Sequence, residues 1–533
     1  MTVLLCGVSA LILRALLLPI LPVPIPFIQD EFSYLLAGDT FAHGRLTNPT
    51  PPMWSHFETF HVIFEPTYAS KYPPMQGLIL GAGKVLLGHP FAAVVLSVAI
   101  MCSLICWMLQ AWIPPTWALL GGLLAIIRFG VFSYWDNSYW GGAAGAIGGA
   151  LVLGALPRIT RRLKVRDAGI LAFGIGVLAN SRPYEGLVMI LPVAFLLLLW
   201  VAGKKTPDLR MSAVRIVVSV LFCLMPISAA TGYYFWRVTG SPFRMPYQVN
   251  QDRYAPARYF IWQAPRPAPL YRHRVMYDYY MKAELPQQLK MRTLSGFFQE
   301  TLVKTLRTWL FFIGPALTVP LLMMYRVTRD RRVRWLIIIG ATSLAGSAAT
   351  TIFFPHYVSP IVALILVLVL QGMRHLKTWR LDGEPTGLFL VRATVTICLI
   401  SVILQTGDLM RRYRLGSRQP GSARSDVMAR LSSLPGRQLA LVRYRPDHAV
   451  LAPDWVDNDA DVVNSKVLWA RDMGTRDNQE LLDYFKDRQS WLVEPDETPP
   501  KLTPYAPTLQ SQQNRLSGKI SNCQVQADKS CSE

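Results

Sequence analysis

MTVLLCGVSALILRALLLPIL, residues 1–21, runs directly into PVPIPFIQDEF, residues 22–32. The first segment is apolar except for Arg14, and its length suits the roughly 20 residues that a helix needs to cross a bilayer. No small-residue cleavage site follows, so we interpret it as a retained first membrane helix rather than a signal peptide. The second segment is stiffened by prolines and ends with the adjacent carboxylates Asp30 and Glu31. The first acidic groups of the chain therefore follow directly after its first membrane helix.

The same apolar character recurs along the chain. Of its 533 residues, 52% are hydrophobic and only 16% are charged, whereas a soluble domain carries about 25% charged residues. Ten further stretches are suited to spanning a membrane: 91–112, 117–132, 141–157, 168–181, 186–202, 213–232, 303–325, 335–354, 357–373 and 385–406. We therefore predict a mainly α-helical, polytopic transmembrane bundle of about eleven helices with a small C-terminal α/β module. A soluble globular enzyme is excluded.

The distribution of charge sets the orientation of this bundle. With the N-terminus in the cytoplasm, the cytoplasmic loops hold more than half of the net charge of +21, as the positive-inside rule requires. These loops are 158–167, 204–215, 326–334 and 374–384. Loop 233–302 is predicted to be external although it holds ten Lys or Arg against four Asp or Glu, since loops longer than about 60 residues largely escape the rule. Topology thus explains the basicity, and we expect no nucleic-acid partner.

The predicted chain has three parts: a transmembrane domain at 1–407 with external loops 22–90 and 233–302, an external α/β module at 408–500, and a loosely ordered tail at 501–533. The module is predicted to contain strands at Leu439–Tyr444, Val467–Ala470 and Trp491–Glu494, and a helix at Asn478–Lys486 with Asp477 near its N-cap. No catalytic set of residues is found in it, so we expect a recognition or structural role. We place the protein in the plasma (inner) membrane, with the active site and the module on the periplasmic or external side.

The pair Asp30 and Glu31 is the first candidate for chemistry. Acidic groups at a membrane surface repel anionic lipid headgroups, so their position calls for a reason, although a solvated loop start is the simpler interpretation. Some forty residues later, the turn KYPP at 71–74 holds the cation of Lys71 on a rigid backbone ahead of the next apolar region. A carboxylate and a cation are therefore expected at one membrane surface.

These motifs resemble those of the GT-C membrane glycosyltransferases, in particular the family 39 type of protein O-mannosyltransferases and lipid A aminoarabinose transferases. The resemblance covers roughly residues 1–375 and implies a polyprenyl-phosphate sugar donor, a lipid, glycan or protein acceptor, and an inverting transfer on the non-cytoplasmic face. It implies that Asp30 is the catalytic carboxylate, with Glu31 as its neighbour. Lys71 would lie at the donor phosphate, but the inserted Tyr72 leaves open which of these two side chains faces the lipid.

The residue types suit this chemistry independently. Transfer of a sugar from a lipid phosphate to a hydroxyl passes through an oxocarbenium-like state, by analogy with glycoside hydrolysis. The acceptor hydroxyl must lose its proton, which calls for a carboxylate base. The departing phosphate gains charge, which calls for fixed cations. Asp30 and Lys71 are candidates for these two roles.

Three further turns are predicted on the same side. The first is rich in aromatic residues and carries Asp136, Asn137, Tyr139 and Trp140, which are suited to binding a sugar or an acceptor or to forming an interfacial aromatic belt. The second carries Arg182, which either binds the lipid phosphate in a bidentate manner or pairs structurally with Glu185. The third carries His356 and Tyr357, which either contact the donor or cap and pack a helix junction.

No metal site is expected. His43, His56 and His61 lie in the first external loop near Glu58 and Glu65, but their spacing is not that of a zinc site. We expect no required cofactor and do not favour assistance by a divalent metal. The expected partners are the lipid-linked donor, an acceptor and membrane lipids. A lipid or solute transporter and a noncatalytic membrane scaffold are the alternatives; a transporter would need polar residues at mid-membrane, where Arg14 is almost alone.

Overall fold

The computed structural model describes residues 1–203 and 207–505. Its α-helices are α1 (Thr2–Leu17), α2 (Gln29–Ala42), α3 (Pro74–Leu87), α4 (Pro90–Trp112), α5 (Pro115–Phe129), α6 (Ala143–Arg162), α7 (Val165–Ala179), α8 (Pro183–Ala202), α9 (Pro207–Thr239), α10 (Pro246–Tyr254), α11 (Arg274–Tyr277), α12 (Leu285–Met291), α13 (Leu294–Phe312), α14 (Gly314–Thr318), α15 (Met324–Arg329), α16 (Arg334–Ala348), α17 (Val362–Lys377), α18 (Thr386–Arg414), α19 (Ser422–Ser433) and α20 (Thr475–Tyr484). Short 3₁₀ helices lie at Trp54–Phe57, Val319–Met323 and Pro355–Ile361, and a π-helical segment lies at Asp278–Glu284. The strands are β1 (Val62–Ile63), β2 (Ala69–Ser70), β3 (Arg437–Val442), β4 (Val467–Arg471), β5 (Arg488–Glu494) and β6 (Lys501–Pro504).

The predicted polytopic helical class is confirmed. Within the described residues, six helices are long and apolar enough to cross a membrane, and α13 to α15 form a seventh span if the bent pair counts as one. Each of the eleven predicted apolar stretches falls on a helix. Four of them coincide with α1, α5, α7 and α16, which have 15 or 16 residues and fall short of a full span. Helix α3 was not predicted; Pro74 at its first turn starts an apolar helix inside the predicted loop 22–90.

The centre of the bundle is formed by helices that are buried on most sides. The spans at 143–162 and 355–377 are 83% buried, whereas those of α8 and α9 are 17% buried and present apolar surface outward. Gly149 allows the close contact between α6 and the 3₁₀ segment before α17, because a Cβ there would lie 1.7 Å from the carbonyl oxygen of Pro360. This contact fixes the segment that carries His356 and Tyr357 against α6.

The C-terminal module is an α/β unit, as predicted, and consists of a small mixed sheet with the helices α19 and α20, of which α19 was not predicted. Its strand order is β4-β3-β5-β6, with β4 and β5 parallel to β3 and β6 antiparallel to β5. The three predicted strands fall on β3, β4 and β5. The predicted N-cap at Asp477 is wrong: α20 follows Gly474, whose φ of +89° lets the chain turn into the helix earlier. Helix α18 continues past the predicted boundary at 407 to Arg414, and residues 506–533 of the predicted tail lie outside the described residues.

The module packs onto the first long loop. Leu36, Phe57 and Phe64 of that loop share one hydrophobic cluster with Leu439 and Leu481 of the module. The buried Arg471 forms an ion pair with Asp454, donates from Nε to the carbonyl of Glu58 at 2.7 Å, and so ties β4 to the loop. Loop and module therefore lie on the same face of the helical bundle, which we call the loop face.

Candidate active site

Asp30 and Glu31 lie in the first turn of α2, where unpaired backbone N–H groups favour negative charge. Glu31 uses both carboxylate oxygens within the protein. Oε2 accepts hydrogen bonds from the backbone N–H groups of Phe27 at 2.9 Å and Ile28 at 3.2 Å. Oε1 accepts one from the N–H of Tyr139 at 2.9 Å. Glu31 therefore fixes the start of α2 and joins it to the aromatic turn.

Asp30 remains available to a ligand. Its carboxylate accepts a hydrogen bond from the Tyr72 hydroxyl, and its side chain is 20% exposed. The Tyr72 oxygen also lies 3.1 Å from Nδ1 of His61, and that nitrogen lies 3.6 Å from Asp30 Oδ2. Since the phenol gives its one proton to Asp30, its oxygen accepts from the Nδ1–H of His61. The three side chains form one unit that orients the carboxylate.

His61 is neutral in this unit. Burial and, to a smaller extent, the positive charge of Lys71 lower the pKa of His61 to about 3, although the negative charge of Asp30 acts in the opposite direction. The backbone carbonyl of His61 accepts hydrogen bonds from the Lys71 N–H at 3.1 Å and from Ser33 Oγ at 2.7 Å. Strand pairing between β1 and β2 thus holds His61 and the KYPP turn side by side.

Lys71 lies beside this unit, and we call the space around Asp30, Tyr72 and Lys71 the pocket. Its Nζ is 5.4 Å from the centre of the Tyr72 ring and 6.0 Å from that of Tyr247. Burial lowers the pKa of Lys71, while the charges of Glu284 and Asp30 act in the opposite direction. Within residues 1–203 and 207–505, no carboxylate forms a direct ion pair with this ammonium group. Lys71 is therefore a cation close to Asp30 that keeps its donors for another partner.

Arg182 approaches the pocket from the end of α7. Its guanidinium carbon lies 4.5 Å from the centre of the Tyr357 ring, and the residue is 8% exposed. Its charge acts on Tyr34, whose ring stacks on Tyr72 at 4.3 Å. It also acts on Glu185, but the described residues include no direct ion pair between the two. The arrangement leaves the guanidinium without a carboxylate partner among the described residues and next to the rings that flank Asp30.

The aromatic turn at 134–142 does not bring Asp136 into this pocket. Asp136 and Arg14 are each 1% exposed, and Asp136 Oδ2 lies 3.7 Å from Arg14 Nε. The carboxylate thus serves the buried cation of α1, as expected for a charge inside a membrane helix. Asn137 likewise acts within the turn, because its Nδ2 donates to the carbonyls of Val131 at 2.7 Å and Ser133 at 2.9 Å.

The remaining residues of the turn join α17 to the site. Trp140 is half-buried, and its ring centre lies 4.7 Å from that of His356. His356 is fully buried, and its Nδ1 lies 2.8 Å from the Tyr134 hydroxyl. Tyr139 is buried against Phe91 and provides backbone groups rather than an exposed ring. Packing explains Tyr139 and His356, while Trp140 and Tyr357 keep exposed surface.

The predicted turns converge on the loop face. Besides the bond between Glu31 and Tyr139, the N–H of Met75 donates to the carbonyl of Asn180 at 2.9 Å, which joins the KYPP turn to the turn that carries Arg182. Asp30, Lys71 and Arg182 come together, and Asp136 does not. The sequence did not identify His61 as a partner of Asp30, nor Tyr34, Tyr247 and Glu284 as neighbours of the pocket. Of these, Tyr34 could have been found from the sequence, because it lies four residues after Asp30 on the same helix and so on the same helix face.

An open cavity continues from Lys71 toward the second long loop. Its wall includes Lys71, Glu284, Tyr259 and Asn250. Within the described parts of the chain, no group of three or more His, Cys, Asp or Glu side chains is placed to hold a metal ion. The arrangement combines an oriented carboxylate, two cations and several phenols, which suits an anionic, hydroxyl-bearing ligand.

No protein-family profile matches the chain, and no curated protein matches it. Solved structures do. The oligosaccharyltransferase of Archaeoglobus fulgidus, in complex with zinc and sulfate, is similar over 93% of this chain and 68% of its own, with 12% sequence identity and a TM-score of 0.51. The fold is GT-C-like. ArnT from Cupriavidus metallidurans bound to undecaprenyl phosphate is similar over 92% of both chains, with 13% identity and a TM-score of 0.47. At these identities the likeness concerns the fold.

Proposed function

We propose that this chain is a membrane glycosyltransferase of the family 39 type that moves a sugar from a polyprenyl-phosphate donor to an acceptor hydroxyl with inversion. One observation carries the proposal: the Asp30 carboxylate is oriented by Tyr72 and His61 beside two cations, Lys71 and Arg182, that have no carboxylate partner among the described residues. A base next to unpaired cations is what a transfer from a lipid phosphate requires. The GT-C-like fold is consistent with it.

Asp30 acts as the base. It accepts the proton of the acceptor hydroxyl as the oxygen attacks the anomeric carbon, and the bond from that carbon to the phosphate oxygen breaks. Glu31 was predicted as its catalytic neighbour; we assign it a positioning role, because both of its oxygens are occupied by backbone N–H groups.

Lys71 and Arg182 bind the donor phosphate and stabilise the charge that grows on it as it departs. We assign the lipid-facing role to Lys71 rather than to Tyr72, because the Tyr72 hydroxyl is engaged by Asp30 and His61. Tyr357 supports Arg182 by lying under its guanidinium. Contact of Tyr72 with the phosphate stays a prediction without support from this geometry.

Substrate contacts fall to the side chains that keep exposed surface near the pocket, namely Trp140, Tyr357 and Glu185. Asp136, Asn137, Tyr139 and His356 were predicted as substrate contacts. We leave them out of the proposed substrate site, because Asp136 pairs with the buried Arg14, Asn137 donates within its own turn, and Tyr139 and His356 are buried. The donor sugar is transferred at the outer surface of the plasma membrane, where the acceptor is a lipid, a glycan or a protein. We keep the expectation that no cofactor is required and do not favour assistance by a divalent metal.

The test is a transfer assay with purified full-length protein in nanodiscs. Undecaprenyl phosphate carrying radiolabelled mannose, glucose or arabinose is offered together with membranes from a strain that lacks the gene. We expect wild type to label one acceptor class and Asp30→Asn to lose at least about three orders of magnitude in rate, a typical contribution of general-base catalysis being 10² to 10⁴. Asp447→Asn, on the exposed surface of the module, is the matched control and keeps full activity.

Full transfer by Asp30→Asn would remove the base from the mechanism. If wild type neither transfers any of the three sugars nor binds undecaprenyl phosphate, the glycosyltransferase proposal fails and a transporter or a scaffold takes its place.

A further inference from the structure

The cavity beside Lys71 contains a second carboxylate that the proposed reaction does not use. Glu284 lies on its wall and ends the π-helical segment Asp278–Glu284. π-Helical turns are rare and recur at functional sites, where they turn a side chain out of the helical register. Here the segment brings Glu284 toward Lys71 from the second long loop, more than 200 residues away in sequence.

Glu284 has no direct ion-pair partner among the described residues. It is hydrogen-bonded to the Tyr279 hydroxyl, and it senses the charges of Lys71 and Asp30, but no described Lys or Arg forms an ion pair with it. Burial raises the pKa of Glu284, and the charge of Lys71 opposes this change. A half-buried carboxylate without an ion-pair partner is costly unless a ligand supplies hydrogen-bond donors.

The chemistry of the reaction excludes two roles for this carboxylate. A phosphate leaves without a proton from an acid, so a general acid is not needed. A second base is not needed either, because Asp30 already faces the pocket. What a carboxylate beside phenols and amides does well is to accept hydrogen bonds from several hydroxyls at once. Tyr259, on the same wall, adds a ring face. Asn250 adds its amide oxygen, because its Nδ2 donates to the carbonyl of Val62 at 3.0 Å.

We propose that this cavity binds the glycosyl unit of the donor, with Glu284 accepting hydrogen bonds from its hydroxyls. The inference rests on the proposed function, because Lys71 is shared: it binds the donor phosphate and forms part of the cavity wall. A group attached to that phosphate therefore reaches the cavity directly.

The experiment separates recognition of the sugar from recognition of the phosphate. Full-length protein in nanodiscs is titrated with bare undecaprenyl phosphate and with undecaprenyl phosphate carrying mannose, glucose or arabinose. The ratio of the Kd for the bare lipid to the Kd for the best sugar-bearing lipid is the sugar increment. We expect Glu284→Gln to lower this increment about tenfold, the loss of one charge-assisted hydrogen bond, with the Kd for bare lipid unchanged.

Two further variants make the result specific. Glu284→Asp keeps the negative charge near Lys71 but withdraws it by one methylene, and it lowers the increment as well. Glu65→Gln, at an exposed carboxylate that pairs with Arg253, is the matched control and keeps the increment.

The inference is overturned if Glu284→Gln retains the increment, if it weakens binding of the bare lipid equally, or if it raises only the KM for the acceptor. The inference also fails, without affecting the proposed function, if wild type binds bare undecaprenyl phosphate and none of the three sugars increases the affinity. Absence of binding to the bare lipid would instead contradict the phosphate site of Lys71 and Arg182, and with it the proposed function.

Discussion

Glu31 accepts a hydrogen bond from the backbone N–H of Tyr139 across 108 positions of sequence. The bond ties the helix that carries Asp30 to the aromatic turn between α5 and α6, and two further backbone donors from Phe27 and Ile28 complete the shell of the carboxylate. Asp30, one residue earlier, is thereby held in position, while its own carboxylate is not occupied by these backbone donors. The two adjacent carboxylates therefore have different roles because their surroundings differ.

Replacement of Glu31 by Gln should lower stability as well as activity. The amide has one acceptor oxygen and no charge, so at least one backbone donor is left buried without a partner. We expect the free energy of unfolding to fall by about 2 kcal/mol or more, since hydrogen bonds to charged groups are worth about 1.5–3 kcal/mol. Thermal unfolding in detergent measures the change, with Glu497→Gln at an exposed site as control. An unchanged melting temperature would contradict this role.

Stability should decline in acid because of His61. Its pKa in the folded protein is about 3 against an ordinary 6.5, so between these values the unfolded chain binds a proton that the folded protein does not. Above about pH 6.5 His61 therefore causes no loss of stability. Below this pH the free energy of unfolding falls by about 1.4 kcal/mol for each pH unit.

The measurement is the difference in melting temperature between about pH 7 and about pH 5. His61→Gln should shrink this difference, whereas His43→Gln, at a half-exposed imidazole, should leave it unchanged. An equal pH dependence in His61→Gln and wild type would show that the imidazole is not kept neutral.

Arg182 should not be replaceable by Lys. Its planar guanidinium lies over the Tyr357 ring and offers paired donors to a phosphate, which an ammonium group cannot reproduce. We expect Arg182→Lys to weaken binding of undecaprenyl phosphate about tenfold or more. Arg272→Lys, at a half-exposed arginine of the second long loop, serves as control. Wild-type affinity in Arg182→Lys would mean that the charge alone matters, or that the phosphate binds elsewhere.

Arg471 should hold the module onto the first long loop. Removal of a buried partner from an ion pair costs about 3–5 kcal/mol, so Arg471→Met should expose the connection between α18 and the module to protease. Arg437→Met removes a surface pair with Asp487 and should cost less than about 1 kcal/mol. Limited proteolysis of both variants in detergent compares them. Equal protection of the two would show that the hydrophobic cluster alone holds the module.

The long apolar helices of the bundle could be predicted from the sequence because a bilayer demands long apolar runs, and such runs are visible without knowledge of contacts. Asp30 and Lys71 could be found because each lies in a local motif next to a helix end. Glu284 and Tyr247 could not be found in this way. Their position at the pocket depends on how the long loop at 233–302 folds back, and no local sequence pattern predicts that fold. Asp136 shows the reverse: its motif suggested a surface role, but the buried charge of Arg14 takes up its carboxylate.

The cluster shared by the first long loop and the module joins residues that are synthesised at very different times. Leu36 and Phe57 emerge from the ribosome long before Leu439 and Leu481. The apolar side chains of the loop that bears Asp30 therefore stay uncovered until the module has been synthesised and delivered to the same compartment. Premature termination after Tyr357 but before β3 would leave this loop uncovered, although the residues of the site had already been translated.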